Sequence, residues 1–296
     1  MPKLARGDNG SNMIPFERLL ARVEAIPPLS PAAVQALEAL DREDVAAAEI
    51  ENLIRFDPVL SATFLRLANA ACFGHSGMIE TLRGAITRLG WTRVRHVVSA
   101  AALARVIPPR IPGYDLDAVG FWAHCSATAL LTESFYAELR MPEPPMAFVA
   151  AILHDIGRLA LGVFIEELAP QIAEQVDDTE ASFEEIERRV IGVDHATLGL
   201  RLATAWSLPV GIAHACSDHH DPSCSPPEFR QMIEIIHMAD LLAYTMGFGI
   251  DVAGLRHDKH PALQRRSPLT DAQAQRVMDR VRDDIHDLVH VAPLAC

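Results

Sequence analysis

Apolar residues recur along this chain at intervals of three and four. After Pro58, Leu60, Phe64 and Leu67 fall on one helical face; Ile79, Leu82, Ile86 and Leu89 follow, then Val94, Val97 and Val98. The two-residue alternation of a half-buried strand is absent, aromatics are few, and Ala and Leu dominate. Helix punctuation agrees with the spacing. Ser30-Pro31 and Asp57-Pro58 each set an N-cap residue before a proline at the first helical position. Ser182 with Glu185, and Thr270 with Gln273, have capping-box spacing. The pattern predicts an all-α fold.

Two segments interrupt it. Pro108-Pro109-Arg110-Ile111-Pro112-Gly113 is a stiff, non-helical connector, and Asp221-Pro222-Ser223-Cys224-Ser225-Pro226-Pro227 is a loop between helices. Thr270 to about His290 reads as one amphipathic helix. The expected organisation is an N-terminal helical lobe at 13–112, a His-rich helical lobe at 113–250, and a tail with the amphipathic helix at 251–296.

Composition narrows the function classes. The 296 residues, half of them apolar, can bury one large core or two modest ones. Net charge is −13, from 39 acidic and 26 basic residues, and no Lys/Arg run offers a nucleic-acid footprint. The five cysteines form no CxxC, which fits a reduced, cytoplasmic protein. The polar first twelve residues do not read as a signal peptide, and Ala100–Val106 and Ala147–Leu153 are too short to span a membrane.

Chemistry concentrates from residue 124 onward, where eleven of the thirteen histidines lie. His154 and Asp155 are consecutive within an apolar helix expected from Met146 to about Leu161. Burying such a pair is costly without a metal or a hydrogen-bonded network. Candidate partners lie on other predicted helices: His124 after Phe121-Trp122, His195 opening the Asp194–Leu202 segment, His219-His220 closing a helix that begins at Pro209, and Asp240 after Ile233, Ile236 and His237. Neutral imidazoles with carboxylates suit Fe, and also Mn or Zn, as one or two ions. Each residue alone also reads as a helix-end, salt-bridge or surface group; together they repeatedly interrupt apolar helices. His75, His96, His214, His257, His260, His286 and His290 read as ordinary core or surface residues.

The order His124, His154-Asp155, Asp240 resembles the H…HD…D signature of the HD superfamily of metal-dependent phosphohydrolases. The surrounding words resemble the HDOD family, the HD-related output domain of bacterial signalling. They are Ile26-Pro27-Pro28-Leu29-Ser30-Pro31, Phe56-Asp57-Pro58, Leu65-Arg66-Leu67-Ala68-Asn69, Ala85-Ile86-Thr87-Arg88-Leu89-Gly90, Phe121-Trp122-Ala123-His124, Leu153-His154-Asp155-Ile156-Gly157-Arg158 and Asp194-His195-Ala196-Thr197-Leu198-Gly199. The resemblance runs from about Ile14 to Phe248. It implies an N-terminal helical lobe packed on an HD-like bundle, and a signalling role, usually without demonstrated catalysis.

His195, His219 and His220 resemble further ligands of the HD-GYP phosphodiesterases, which cleave cyclic di-GMP. That likeness implies one ion on His124, His154 and Asp240, a second on His195, His219 and His220, and Asp155 bridging them. The chain departs from that family after His220, where the Gly-Tyr-Pro word is missing. It also has Arg158 where a Lys is expected, and Gly120 where a further metal-binding Glu would stand.

Two functional expectations follow. The first is a regulatory module that binds metal, with a nucleotide or phosphate as a further ligand, and signals to a protein partner in trans. The N-terminal lobe and the Thr270–His290 helix are the candidate partner surfaces. The second is an active phosphohydrolase in which Asp155 and Arg158 are catalytic. Neither expectation calls for nucleic acid or a membrane.

Overall fold

Helix-forming spacing dictates helices throughout, and the computed structural model is all-α. It describes residues 14–40, 42, 44–69, 78–178, 181–249 and 269–291. The first group of helices is α1 (Phe16–Ala25), α2 (Pro31–Leu40), α3 (Ala47–Ile54), α4 (Pro58–Ala68) and α5 (Leu82–Leu103). A short antiparallel ribbon, β1 (Arg110–Ile111) against β2 (Leu116–Asp117), follows where the Pro-rich connector was expected. Then come α6 (Ala118–Leu139), α7 (Ala147–Leu153), α8 (Arg158–Glu167), α9 (Ala169–Asp178), α10 (Phe183–Val190), α11 (His195–Ala205), α12 (Val210–Asp218), α13 (Pro227–Thr245) and α14 (Asp271–Val291). The Asp221–Pro227 loop includes a 3₁₀ turn at Pro222–Cys224. His75, His257, His260, Cys72 and Cys296 lie outside the described residues, as does most of the segment between α13 and α14.

The predicted caps form, with one exception. Asp57 Oδ1 accepts from the Leu60 N–H at 3.1 Å, Ser182 and Glu185 make the expected capping box, and the Thr270 N–H donates to Gln273 Oε1 at 3.0 Å. Ser30, expected to cap α2, donates instead to Asp57 Oδ2 at 3.0 Å. Arg105 meets the same carboxylate at 2.7 Å, so Asp57 ties the starts of α2 and α4 to the end of α5. Helix α5 kinks at Gly90, whose φ of 76° lies in the left-handed region. The kink separates the apolar stripe ending at Leu89 from the one beginning at Val94.

Helices α2 to α5 pack on one another, whereas α6 is the hub of the remainder and touches α7, α13, α14 and the ribbon. Small and hydroxyl-bearing residues (Ser126, Ala127, Thr128, Ala129, Thr132) let neighbours approach α6 closely. Thr128 and Thr132 satisfy their hydroxyls on the carbonyls of His124 and Thr128. Helix α1 packs against α8 and α11, clamped by the Arg18–Glu167 pair and by Arg22 donating to the Leu159 carbonyl. Helix α14 lays Val277, Val281 and Ile285 into the core, and its Arg276 and Arg280 pair with Glu138 of α6.

One expected element differs. Met146 to Leu161 is not a continuous helix: α7 ends at Leu153, and α8 begins at Arg158. Between them the backbone tightens, with Ile156 N–H bonding to Leu153 O and Arg158 N–H to Asp155 O. The cause is a close approach. A Cβ on Gly157 would lie 1.8 Å from the His195 carbonyl oxygen and 2.6 Å from the Gly199 nitrogen, so the turn can nest on α11 only without a side chain. Ala147–Glu167 is the one stretch among the described residues long and apolar enough to cross a membrane, yet 94% of its most apolar 18 residues are buried inside the fold and this turn interrupts it.

Gly157→Ala should therefore force the turn away from α11. Urea unfolding should show a loss on the order of 3 kcal/mol, at the upper end of overpacking costs; a change below about 0.5 kcal/mol would show that the contact is soft.

Candidate metal centre

All seven residues expected to bind metal meet at one place, on five separate elements. His124 comes from α6, His154 and Asp155 from the α7–α8 turn, His195 from the first position of α11, His219 and His220 from the end of α12, and Asp240 from α13. The tightened turn presents two consecutive residues to the same centre. Asp194 caps α11 by accepting from the Thr197 N–H, which fixes where His195 begins.

Asp155 is the middle of the arrangement. Its Oδ2 faces His124 Nε2 at 3.4 Å and His154 Nε2 at 3.5 Å. Its Oδ1 faces His195 Nε2 at 3.3 Å and His219 Nε2 at 3.6 Å. Asp240 Oδ1 closes the first side, 3.1 Å from His124 and 3.5 Å from His154. His220 closes the other, with its Nε2 2.8 Å from that of His195. Two donor groups result, His124–His154–Asp155 and His195–His219–His220, each with its donor atoms within 4.8 Å of one another.

The outer nitrogens are anchored. His154 Nδ1 lies 2.7 Å from the Ala151 carbonyl, His219 Nδ1 3.1 Å from those of Ala215 and Cys216, and His124 Nδ1 3.4 Å from that of Phe248. His195 Nδ1 lies 2.7 Å from Glu187 Oε2. Each acceptor draws the ring proton to Nδ1 and aims the Nε2 lone pair inward, the outer support that metal-bound histidines ordinarily have. The inner atoms have no comparable partners. The Nε2 atoms of His124, His154 and His219, both oxygens of Asp155 and Oδ1 of Asp240 are buried without a hydrogen bond. So many unpaired polar atoms are costly in a closed interior, and divalent metal held by the two donor groups would satisfy them. The donor set fits such an ion.

Arg158 belongs to the same centre. Only 1% exposed, it sets Nε 2.8 Å from Asp155 Oδ2, donates from Nη2 to the Tyr244 hydroxyl at 2.7 Å, and lies over the Tyr114 ring. Burial pushes the Asp155 carboxyl up, but Arg158 and the imidazoles hold it well below the usual range. Burial likewise opposes a charge on His124, yet Asp155 and Asp240 raise its pKa to about 9. At His195, Glu187 and Asp155 overcome burial and raise the value to about 10. His219 is shifted down, chiefly by burial.

The sequence did not single out Glu187, Tyr114 or Tyr244. Glu187 is fully buried, accepts from the His195 backbone N–H and the Tyr114 hydroxyl, and orients the His195 ring. Its signal was a carboxylate on the face of α10 that carries Phe183, Ile186 and Val190. Gly249, with φ of +75°, brings its backbone against His124, where a Cβ would lie 2.8 Å from the ring. Two histidines expected to be ordinary stay apart: His96 stacks on Phe148 and faces Glu133, and His214 pairs with Asp218.

The HDOD domain profile matches residues 26–222. Solved structures resemble the fold. An HDOD domain protein of unknown function from Geobacter sulfurreducens aligns at 23% identity and TM-score 0.69, over 94% of this chain and 98% of its own. A provisionally named signal transduction protein from Marinobacter aquaeolei aligns at 15% and 0.62, over 94% and 63%. A provisionally named metal-dependent phosphohydrolase from Shewanella amazonensis aligns at 16% and 0.57, over 93% and 96%. No curated protein matches the chain.

In metal-free protein the raised values at His124 and His195 carry a pH signature. Both folded pKa values exceed the ordinary value of 6.5, so the stability they contribute is complete below that pH and is lost as pH rises through about 9 and 10. Chelator-treated protein should lose stability between pH 7 and pH 9, by at most about 1.4 kcal/mol per pH unit for each proton. Urea midpoints that stay flat over this window would contradict the arrangement.

Proposed function

The chain belongs to the HDOD family, and on that premise we propose that it is a bacterial signal-transduction module built around a divalent metal site, reporting to a protein partner in trans. The observation that carries the reading is the set of histidines anchored at Nδ1 with their Nε2 atoms turned, unsatisfied, toward Asp155. In this reading His124, His154 and Asp240 form one half of the site, His195, His219 and His220 the other, and Asp155 joins them. Iron suits this mixture of imidazole and carboxylate, with manganese or zinc as alternatives. The free thiols of Cys125, Cys216 and Cys224 agree with a cytoplasmic setting.

Closure of the site favours regulation over turnover. Six of the seven residues are buried, and His220 alone is partly exposed. Arg158, which a phosphate-binding role would require to face a substrate, is engaged with Asp155 and Tyr244. A partner has apolar side chains to meet on the N-terminal part, where Phe56 of the α3–α4 turn is 79% and Trp91 of α5 45% exposed. The α14 surface is less available, because its apolar face already packs on α6.

A second reading, phosphoester hydrolysis, is favoured by the complete ligand set and by the solvent-reaching edge at His220. A bound divalent ion would there supply a Lewis acid and an activated water. The protein's own part would be to hold Asp155 ionised, to exclude bulk water, and to swing Arg158 toward a phosphate oxygen. A nucleotide or phosphate ligand would approach at His220 under either reading.

Metal analysis of purified protein should find at least about half an ion per chain, and His154→Ala should lose it. Saturation at 100 times Kd should stabilise the fold by about 2.7 kcal/mol. Glu187→Gln should weaken metal binding by about 10–100-fold through its hold on His195. A metal-free chain with unaltered stability in His154→Ala would overturn the proposal. Hydrolysis of a chromogenic phosphodiester or cyclic di-GMP with Fe, Mn or Zn, abolished by Asp155→Ala, would establish the second reading in place of the first.

A further inference from the structure

The connector that leads from α5 to α6 reaches the metal centre through one side chain. Its ribbon turns at Pro112-Gly113-Tyr114-Asp115, and two residues of that turn, Gly113 (φ +74°) and Asp115 (φ 57°), are left-handed. That conformation is disfavoured for a residue with a Cβ such as Asp115. The turn is seated on α8 by a close approach of two glycines. A Cβ on Gly113 would lie 2.6 Å from the Ile165 side chain and 2.7 Å from the Gly162 carbonyl oxygen, and a Cβ on Gly162 would run into the Pro112 carbonyl. Ile111 and Tyr114, on either side of the seat, are fully buried.

The seat fixes Tyr114 against two supports of the centre. Its ring lies under the guanidinium of Arg158, which pairs with Asp155. Its hydroxyl donates to Glu187 Oε1 at 2.6 Å. The other oxygen of Glu187 accepts from the His195 backbone N–H at 2.9 Å and faces His195 Nδ1 at 2.7 Å. Tyr114, Arg158, Glu187 and His195 are all buried, so water does not compete for these links. A displaced Tyr114 would take its donor from Glu187, and a loosened Glu187 would let the His195 ring turn. At its other end the connector begins beside Arg105, which pairs with the buried Asp57. Asp57 also accepts from Ser30 and from the Leu60 N–H. One stretch of chain therefore runs from the node that ties α2, α4 and α5 together to the support of a candidate metal ligand.

Resting on the metal reading above, we propose that this connector couples metal occupancy to helices α2 to α5, with Tyr114 as the positioning residue that carries the coupling to His195. A metal-binding Nε2 on His195 requires the ring proton at Nδ1, where Glu187 accepts it. Glu187 so engaged holds the Tyr114 hydroxyl, and with it the ribbon. Linkage makes the effect mutual: whatever affinity the metal gains from an oriented His195 is returned as a tighter seat for the ribbon. Such a path is established by non-additive mutations rather than by adjacency.

Co²⁺ titration and hydrogen exchange read by mass spectrometry, both on the full chain, test this. In wild type, bound Co²⁺ should slow amide exchange in the 110–117 ribbon and at the end of α5. Tyr114→Phe keeps the ring under Arg158 and removes only the hydroxyl. It should weaken Co²⁺ binding by about 10-fold, and saturating Co²⁺ should no longer slow exchange in the ribbon or α5. Gly162→Ala, which alters none of the seven site residues, should displace the ribbon and weaken Co²⁺ binding by a similar factor. The two changes together should weaken it no further than either alone. A folded Tyr114→Phe with wild-type affinity and wild-type exchange changes would overturn the proposal. So would additive effects of the two substitutions, or Co²⁺ bound to wild type without slowed exchange in the ribbon. Each of those results leaves metal binding itself intact, whereas absence of any bound Co²⁺ in wild type overturns both readings. Should one variant unfold, as judged by circular dichroism, the other decides, with Glu187→Gln as its partner in the test of additivity.

Discussion

The carboxylate of Asp155 is withdrawn from water at the meeting point of four imidazoles and a guanidinium, and the architecture around it follows from that burial. An isolated buried carboxylate is prohibitively unfavourable, whereas one surrounded by cationic or cation-binding groups is tolerable only if those groups are held in place. Each is held by something further out. Carbonyls fix His124, His154 and His219, Glu187 fixes His195, and the Tyr114 hydroxyl in turn fixes Glu187. A buried polar network of this kind must be satisfied through several layers, or it is worse than an apolar core.

Backbone geometry supplies the rest. The α7–α8 turn can bring His154 and Asp155 to one point only because Gly157 lets it settle on the first turn of α11. Gly249 similarly permits the backbone after α13 to close over His124. The small residues of α6 admit α7 and α13 to close packing, which sets His124 and Asp240 opposite the turn. The N-terminal helices α2 to α5 contribute none of the seven residues.

Much of this was legible in the chain itself. Helical class followed from three-and-four spacing and from capping pairs such as Ser182–Glu185, because those features act locally. The seven site residues were visible as polar intrusions into apolar helices and as matches to family words. What escaped were consequences of tertiary contact. Met146–Leu161 looks like one helix because nothing local opposes it; the break comes from α11 pressing against Gly157. Tyr114 and Tyr244 look like ordinary aromatics until Glu187 and Arg158 arrive beside them. Ser30 forgoes its own helix for an aspartate 27 residues away. Arg158, expected to be catalytic if the chain is an active phosphohydrolase, lies beside Asp155, Tyr244 and Tyr114, and neither tyrosine was legible as its neighbour.

The central claim is that these residues are held apart from water to receive a cation. Anomalous X-ray scattering from crystals of the metal-supplemented protein, recorded at the absorption edges of iron, manganese and zinc, addresses it directly. The account predicts a peak about 2.0–2.2 Å from the inward-facing nitrogens and an oxygen of Asp155. Crystals grown with all three metals but showing no anomalous density there, with the imidazole Nε2 atoms bound to water instead, would contradict it.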